Sequence, residues 1–192
     1  MLINYIQPMK TLYSFVIICV CVLVVSAQDI YKLKSSKINF FAGTPLEDID
    51  ANNTKTTSFL NIKTGEITIS IPNKEFVFKR SLMQEHFNEN YMETAKYPKS
   101  EFKGKIKDIE SIDFTKTEPI TIVVEGMLTV HGIAKERSIE VTLKNNAQLI
   151  EGVSKFVIPL SDHNINRPQI LWEKIAENVQ VSATFTYEPY KK

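Results

Sequence analysis

The chain has 192 residues, with 23 basic and 22 acidic side chains, a formal net charge of +1 and 43% hydrophobic residues. This composition suits one globular domain with a single hydrophobic core. The near-zero charge balance does not favour a nucleic-acid partner, because such binding depends on neutralising phosphates with an excess of basic side chains.

The N-terminal segment is predicted to be a cleavable export signal. Lys10 precedes the apolar run 12–25, which contains no charged residue. This run is too short for a membrane span, which needs about 20 apolar residues. It ends in Val25-Ser26-Ala27, so we expect cleavage before Gln28, with an uncleaved membrane anchor as the alternative.

The predicted signal, residues 1–27, contains both cysteines, Cys19 and Cys21. The mature domain, residues 28–192, therefore offers no disulfide, no thiolate nucleophile and no cysteine-based metal site. We expect it to be periplasmic or secreted, with no integral membrane segment after cleavage.

Beyond the signal, apolar residues recur at every second position, which predicts β-strands with one buried face. The predicted strands cover residues 38–42, 57–62, 66–71, 76–79, 100–108, 119–131, 137–144, 148–160 and 178–187. Eight or nine antiparallel strands fit a closed barrel, whose interior holds either packed side chains or one small ligand. A two-sheet sandwich would give the same alternation.

Two further segments are predicted to be helices. In residues 81–93, Ser81 and Gln84 have the spacing of a capping box. Residues 168–177 begin with a proline, which suits a first helical turn, and carry Trp172. One face of the first helix is apolar through Met83, Phe87 and Tyr91.

Candidate catalytic and metal-binding groups are few. His86, Glu89 and Glu93 share one arc of the first predicted helix and could hold a divalent metal, but a solvated acidic face is the simpler interpretation. Ser161-Asp162-His163 contains the residue types of a hydrolytic triad, yet adjacent residues cannot direct their side chains into one relay. We therefore predict no catalytic residue, no metal site and no cofactor.

Aromatic and methionine residues concentrate around the first predicted helix. They are Phe76, Phe78, Met83, Phe87, Tyr91, Met92 and Phe102. Composition leaves two interpretations open, an ordinary core and an adaptable apolar tunnel for a lipid chain.

Residues 82–104, 124–136 and 156–181 carry a family resemblance. Its most specific parts are the helix leading into Tyr97-Pro98-x-x-x-Phe102 and the hairpin Gly126-x-Leu128-Thr129-x-x-Gly132. In these segments the chain resembles the YceI-like family, bacterial exported proteins described as polyisoprenoid-binding and lipocalin-like. The resemblance implies an antiparallel barrel of about eight strands whose apolar channel takes up a long isoprenoid or fatty-acyl chain.

The resulting hypothesis is non-catalytic binding or transport of such a lipid inside an all-β, lipocalin-like barrel. The expected partner is a small-molecule lipid, and a homodimer is left open. The expected wall of the channel is Phe40, Phe76, Phe78, Met83, Phe87, Tyr91, Phe102, Phe156, Trp172 and Phe185. The candidates for contact with a polar or anionic head group are Arg80, His86, Asn90 and Arg167.

Two alternatives remain open from the sequence. One is an enzyme acting on an amphiphilic substrate, with His86 as acid or base. The other is a structural β-domain whose interior is filled by its own side chains.

Overall fold

The computed structural model describes residues 29–43, 48–146, 148–166 and 176–190. The predicted signal and most of the second predicted helix, with the candidates Arg167 and Trp172, lie outside the described residues. None of the helices in the described part of the chain is long and apolar enough to cross a membrane.

Ten strands form within these ranges. They are β1 (Ile30–Gly43), β2 (Asp48–Asn53), β3 (Thr57–Asn61), β4 (Glu66–Pro72), β5 (Val77–Phe78), β6 (Lys99–Ile106), β7 (Ile120–Val130), β8 (Ile133–Asn146), β9 (Leu149–Pro159) and β10 (Asn178–Pro189). The α-helix α1 (Ser81–His86) continues directly into a π-helical turn, Phe87–Tyr91. Short 3-10 turns occur at Asn73–Glu75, Ile109–Ser111 and Leu160–His163.

Eight of these strands close into an antiparallel barrel. Their order is β10-β9-β8-β7-β6-β4-β3-β1, and β1 returns to pair with β10. The closing ladder runs from Tyr31 opposite Pro189 to Phe41 opposite Gln180, with an irregularity between Leu33 and Ser35. This closed circuit confirms the predicted barrel and excludes the two-sheet sandwich.

The strands β2 and β5 extend the wall at one end of the barrel. β1 pairs with β3 through Ile30 to Lys32 and with β2 through Ile38 to Gly43, and β5 then pairs with β2. The strand β2 was not predicted, because four of its six residues are Asp or Asn, which are depleted in strands.

Two fully buried asparagines stabilise this widened end. Asn53 donates from Nδ2 to the carbonyl oxygen of Pro72 at 2.8 Å. Asn73 donates from Nδ2 to the Tyr97 carbonyl oxygen and accepts through Oδ1 from the Ser100 hydroxyl, both at 2.8 Å. These amides supply hydrogen-bond partners where the chain leaves the regular ladder, as buried backbone groups require.

The opposite end of the barrel is filled by a packed core. Tyr187 is 2% exposed, and its hydroxyl oxygen lies 2.7 Å from the Ser58 hydroxyl oxygen. Because Ser58 donates its single proton to the Thr68 carbonyl oxygen at 2.7 Å, Tyr187 is the donor to Ser58. The apolar residues of this end include Leu60, Phe102, Ile106, Val124, Ile139, Leu143 and Ile150.

The buried Tyr187 hydroxyl makes the free energy of unfolding depend on pH in the alkaline range. Burial raises its pKa from 10.0 to about 12. Between these values the unfolded chain has lost the proton and the folded chain retains it, so the free energy of unfolding falls as pH rises. We expect an extra loss of about 1.4 kcal/mol per pH unit in this window, measured by urea unfolding.

Tyr187→Phe provides the comparison, because it keeps the ring and removes the titrating group. The variant should lack the extra slope above pH 10. Identical slopes in both proteins would contradict a buried, proton-retaining tyrosine.

Candidate functional site

The widened end of the barrel encloses an apolar cavity with a volume of about 480 Å³. Successive strand residues point to opposite faces, so every second residue of a strand contributes to its wall. The strand residues in the wall include Ile38, Phe40 and Ala42 of β1, Leu128 and Val130 of β7, Phe156 and Ile158 of β9, and Val179 and Val181 of β10. The alternation that predicted the strands therefore also builds the cavity.

The segment containing α1 lies across this cavity and is held by four phenylalanine rings. The ring centre of Phe87 lies 5.4 Å from that of Phe40, 5.6 Å from that of Phe76 and 5.0 Å from that of Phe78. Phe40 also contacts Phe76 and Phe78, at 5.3 and 5.5 Å. Such pairs add about 0.5–1.5 kcal/mol each beyond area burial, so this cluster anchors α1 to the barrel.

The start of α1 differs from the prediction. Ser81 is the first helical residue, Arg80 occupies the N-cap position, and no side chain caps the helix. Gln84 instead accepts a hydrogen bond through Oε1 from the Phe78 amide at 3.4 Å. The capping box is therefore not formed, because the glutamine side chain is engaged by β5.

Seven of the ten predicted wall residues line the cavity. They are Phe40, Phe76, Phe78, Met83, Phe87, Tyr91 and Phe156. Trp172 lies outside the described residues. Two polar residues of the lining, Asn73 and Ser100, were not predicted from the sequence, because short polar residues in strands and turns carry no distinctive local signal.

Phe102 and Phe185 do not line the cavity. Phe102 is 5% exposed and belongs to the packed core, and Phe185 contacts Tyr187 with ring centres 6.2 Å apart. Both residues point into the barrel, as do the wall residues of the same strands, but they lie nearer its filled end. Alternation identifies the face of a strand and not the depth along it, so the sequence could not separate them from the wall.

The head-group candidates fall into three groups. Arg80 and His86 are exposed at the cavity rim, where the Arg80 Nη2 lies 3.5 Å from the Met83 sulfur. Asn90 is exposed on the π-helical turn and does not line the cavity. Arg167 lies outside the described residues.

The turn between β7 and β8 connects the loops around the cavity. His131 and Gly132 have φ of 50° and 74°, as a two-residue hairpin of type I′ requires. The His131 Nε2 lies 2.8 Å from the Glu93 Oε2, and its Nδ1 lies 3.1 Å from the His163 carbonyl oxygen. Its ring also contacts Tyr97, at 4.5 Å between centres. One histidine thus joins three segments.

This arrangement engages Glu93 with the hairpin instead of with His86 and Glu89. Across residues 29–43, 48–146, 148–166 and 176–190, no group of three or more His, Cys, Asp or Glu side chains is placed to hold a metal ion.

The side chains of Asp162 and His163 have structural partners. Asp162 binds Arg137 at 2.5 Å, and this hydrogen bond holds the pKa of the carboxyl below its usual range. His163 is fully buried, with Nδ1 3.0 Å from the Ile133 carbonyl oxygen, and burial lowers its pKa. These side chains join the 3-10 turn to β8 and do not form a relay.

Comparisons with known proteins place the fold in a family context. The sequence profile of the YceI-like domain matches residues 31–187. A polyisoprenoid binding domain from Saccharophagus degradans superposes with a TM-score of 0.72 at 16% identity, covering 83% of this chain and 98% of that chain. No curated protein sequence matches significantly.

Two other solved structures are also similar. BcnA of Burkholderia cenocepacia has a TM-score of 0.67 at 16% identity, covering 79% of this chain and 95% of its own. The YCEI protein of Campylobacter jejuni has a TM-score of 0.54 at 14% identity, covering 98% of this chain and 100% of its own. At these identities the structural likeness shows the barrel fold.

Phe87→Ala tests the aromatic anchor of α1. Because Phe87 is half-buried and contacts three rings, its loss should lower the free energy of unfolding by about 2 kcal/mol. The midpoint of thermal unfolding should fall by about 4–8 °C. Amide hydrogen exchange should accelerate in residues 81–91.

Phe59→Ala is the matched control, because Phe59 is 48% exposed and contacts Tyr190 at 6.0 Å on the outer surface. We expect a loss within about 0.5 kcal/mol and unchanged exchange in α1. Equal effects of the two variants would contradict the anchor.

Proposed function

This chain belongs to the YceI-like family, and we propose that it binds an isoprenoid or fatty-acyl chain inside the barrel cavity without catalysing a reaction on it. The observation that carries the proposal is the cavity itself. Its volume of about 480 Å³ falls in the usual range of small-molecule sites, and aliphatic and aromatic side chains form most of its wall.

The chemistry of the wall favours an apolar chain over a polar ligand. Each methylene removed from water contributes about 0.8 kcal/mol, without any directional contact. Association costs at least about 4 kcal/mol in lost translational and rotational freedom, so affinity requires many buried carbons. A long chain meets this requirement. The polyisoprenoid binding described for the Saccharophagus degradans domain supports the same ligand class.

The rim offers a position for a polar end of the ligand. Arg80 and His86 are exposed there, while the deeper wall is apolar apart from Asn73 and Ser100. A guanidinium suits two-point contact with a phosphate or carboxylate. We propose that the apolar chain enters first and that the head group stays at the rim.

The location and the absence of catalysis are part of the same proposal. The predicted export signal supports action in the periplasm or after secretion. The enzyme alternative assigned acid or base chemistry to His86. This side chain is exposed at the rim, and no hydrogen bond from the described part of the chain orients it as an acid or base.

Two adjacent residues of β9 provide the test, because they face opposite sides of the wall. Phe156 lines the cavity, and Val157 is 50% exposed on the outside. Phe156→Asp places a charge against the bound chain, which costs several kcal/mol. It should weaken uptake of a fluorescent stearic-acid analogue at least about a hundredfold. Val157→Asp should change uptake by less than about twofold.

Fluorescence titration of detergent-free protein measures both effects, with far-ultraviolet circular dichroism and the thermal midpoint confirming a folded barrel. Failure of the unmodified protein to take up the analogue would contradict lipid binding. Equal losses in two folded variants would show that the analogue binds elsewhere.

A further inference from the structure

The cavity ends at a common level inside the barrel. On β6, Ser100 lines it and Phe102, two residues further along the strand, does not. On β10, Val181 lines it and Ala183 does not. Both non-lining residues are 5% exposed, so the space is filled at this level. The barrel therefore contains a pocket with a floor, and not a channel through its whole length.

Phe102 supplies the largest side chain at this level. Its strand partners are Ile69 of β4 and Leu128 of β7. The ring lies along the backbone of Gly104, where a Cβ atom would approach its Cε1 atom to 2.7 Å. Any side chain at Gly104 would displace the Phe102 ring. Gly104 therefore allows the ring to occupy this position in the floor.

A second glycine allows the strands beneath the ring to approach closely. Gly126 pairs with Gly104, and a Cβ atom on Gly126 would collide with the Lys103 carbonyl oxygen. No other residue type fits there without moving the backbone. The floor therefore consists of one aromatic ring packed against two adjoining strands with little room between them.

We propose, building on the binding function above, that Phe102 sets the length of chain that this protein encloses. A cavity of about 150 Å³ holds benzene, which is roughly 25 Å³ per carbon. On this scale a volume of about 480 Å³ holds about 19 carbons. The enclosed ligand is therefore about four isoprene units or one common fatty-acyl chain, and the remainder of any longer chain extends beyond the rim.

The test measures dissociation constants for saturated straight-chain fatty acids of increasing length, with farnesol and geranylgeraniol as prenyl probes, by displacement of the fluorescent stearic-acid analogue. For the unmodified protein, affinity should rise about fourfold per added methylene. The rise should end near 19 carbons, where additional methylenes remain in water.

Two substitutions should move this break in opposite directions. Phe102→Ala removes a six-carbon ring from the floor, so the break should move about four to six carbons longer. Leu128→Phe enlarges a lining residue beside the floor and should move the break shorter. Phe59→Ala, on the outer surface, should leave the break unchanged. Phe102→Leu repeats the lengthening on a smaller scale if the alanine variant does not fold.

The outcomes separate this inference from the function on which it rests. Short fatty acids should bind the unmodified protein and every variant. If they do, and the break in affinity stays at the same chain length in folded Phe102 and Leu128 variants, Phe102 does not set the length of the enclosed chain. Affinity that rises with chain length without any break would likewise contradict a cavity closed by a floor. If no fatty acid or prenol binds the unmodified protein, the binding function itself is wrong.

Discussion

The packing of the Phe102 ring over Gly104 divides the interior of the barrel into a solid end and a hollow end. Below the ring, buried aliphatic residues and the Tyr187–Ser58 hydrogen bond fill the space between the strands. Above it, the same alternating pattern lines an apolar cavity. A hollow interior forgoes packing contacts, so the filled end must supply stability for both halves.

The wall of the hollow end is held by polar contacts of buried amides and of a histidine, and by aromatic contacts within the cavity. Asn53 and Asn73 join the segments around β5, and His131 joins the β7–β8 turn to the segment after α1. By contrast, α1 contains no fully buried residue and depends on the Phe87 cluster. Elements with few buried contacts open at low free energy. We therefore expect a lipid chain to enter the cavity beside α1 while the barrel strands stay paired.

Much of the fold follows from the sequence, because the side chains of a strand alternate between two faces. This pattern located the main strands, and the family resemblance distinguished a barrel from a sandwich. The alternating pattern did not reveal β2. In this strand Asp48 and Asp50 face outward, and the inward Asn53 finds backbone partners only in the folded chain. Gln84 was misassigned for a similar reason, since its partner on β5 belongs to a different element.

The cavity was less accessible to sequence reasoning than the strands. Phe156 and Phe102 are both inward-facing aromatic residues of strands, yet one lines the hollow end and the other closes it. Their difference depends on depth along the barrel axis, which is set by the pairing of distant strands. Composition could not choose between a packed core and a lipid tunnel, because both use the same side chains. The structure contains a packed core at one end of the barrel and an apolar cavity at the other.

The most direct measurement of this division is a crystal structure of the protein with bound geranylgeraniol. Continuous electron density for the prenyl chain should extend from the rim near Arg80 to the ring of Phe102, and stop there. Density that continued past Phe102 towards Tyr187, or that lay on the outer surface of the barrel, would contradict an interior divided into a filled and a hollow end.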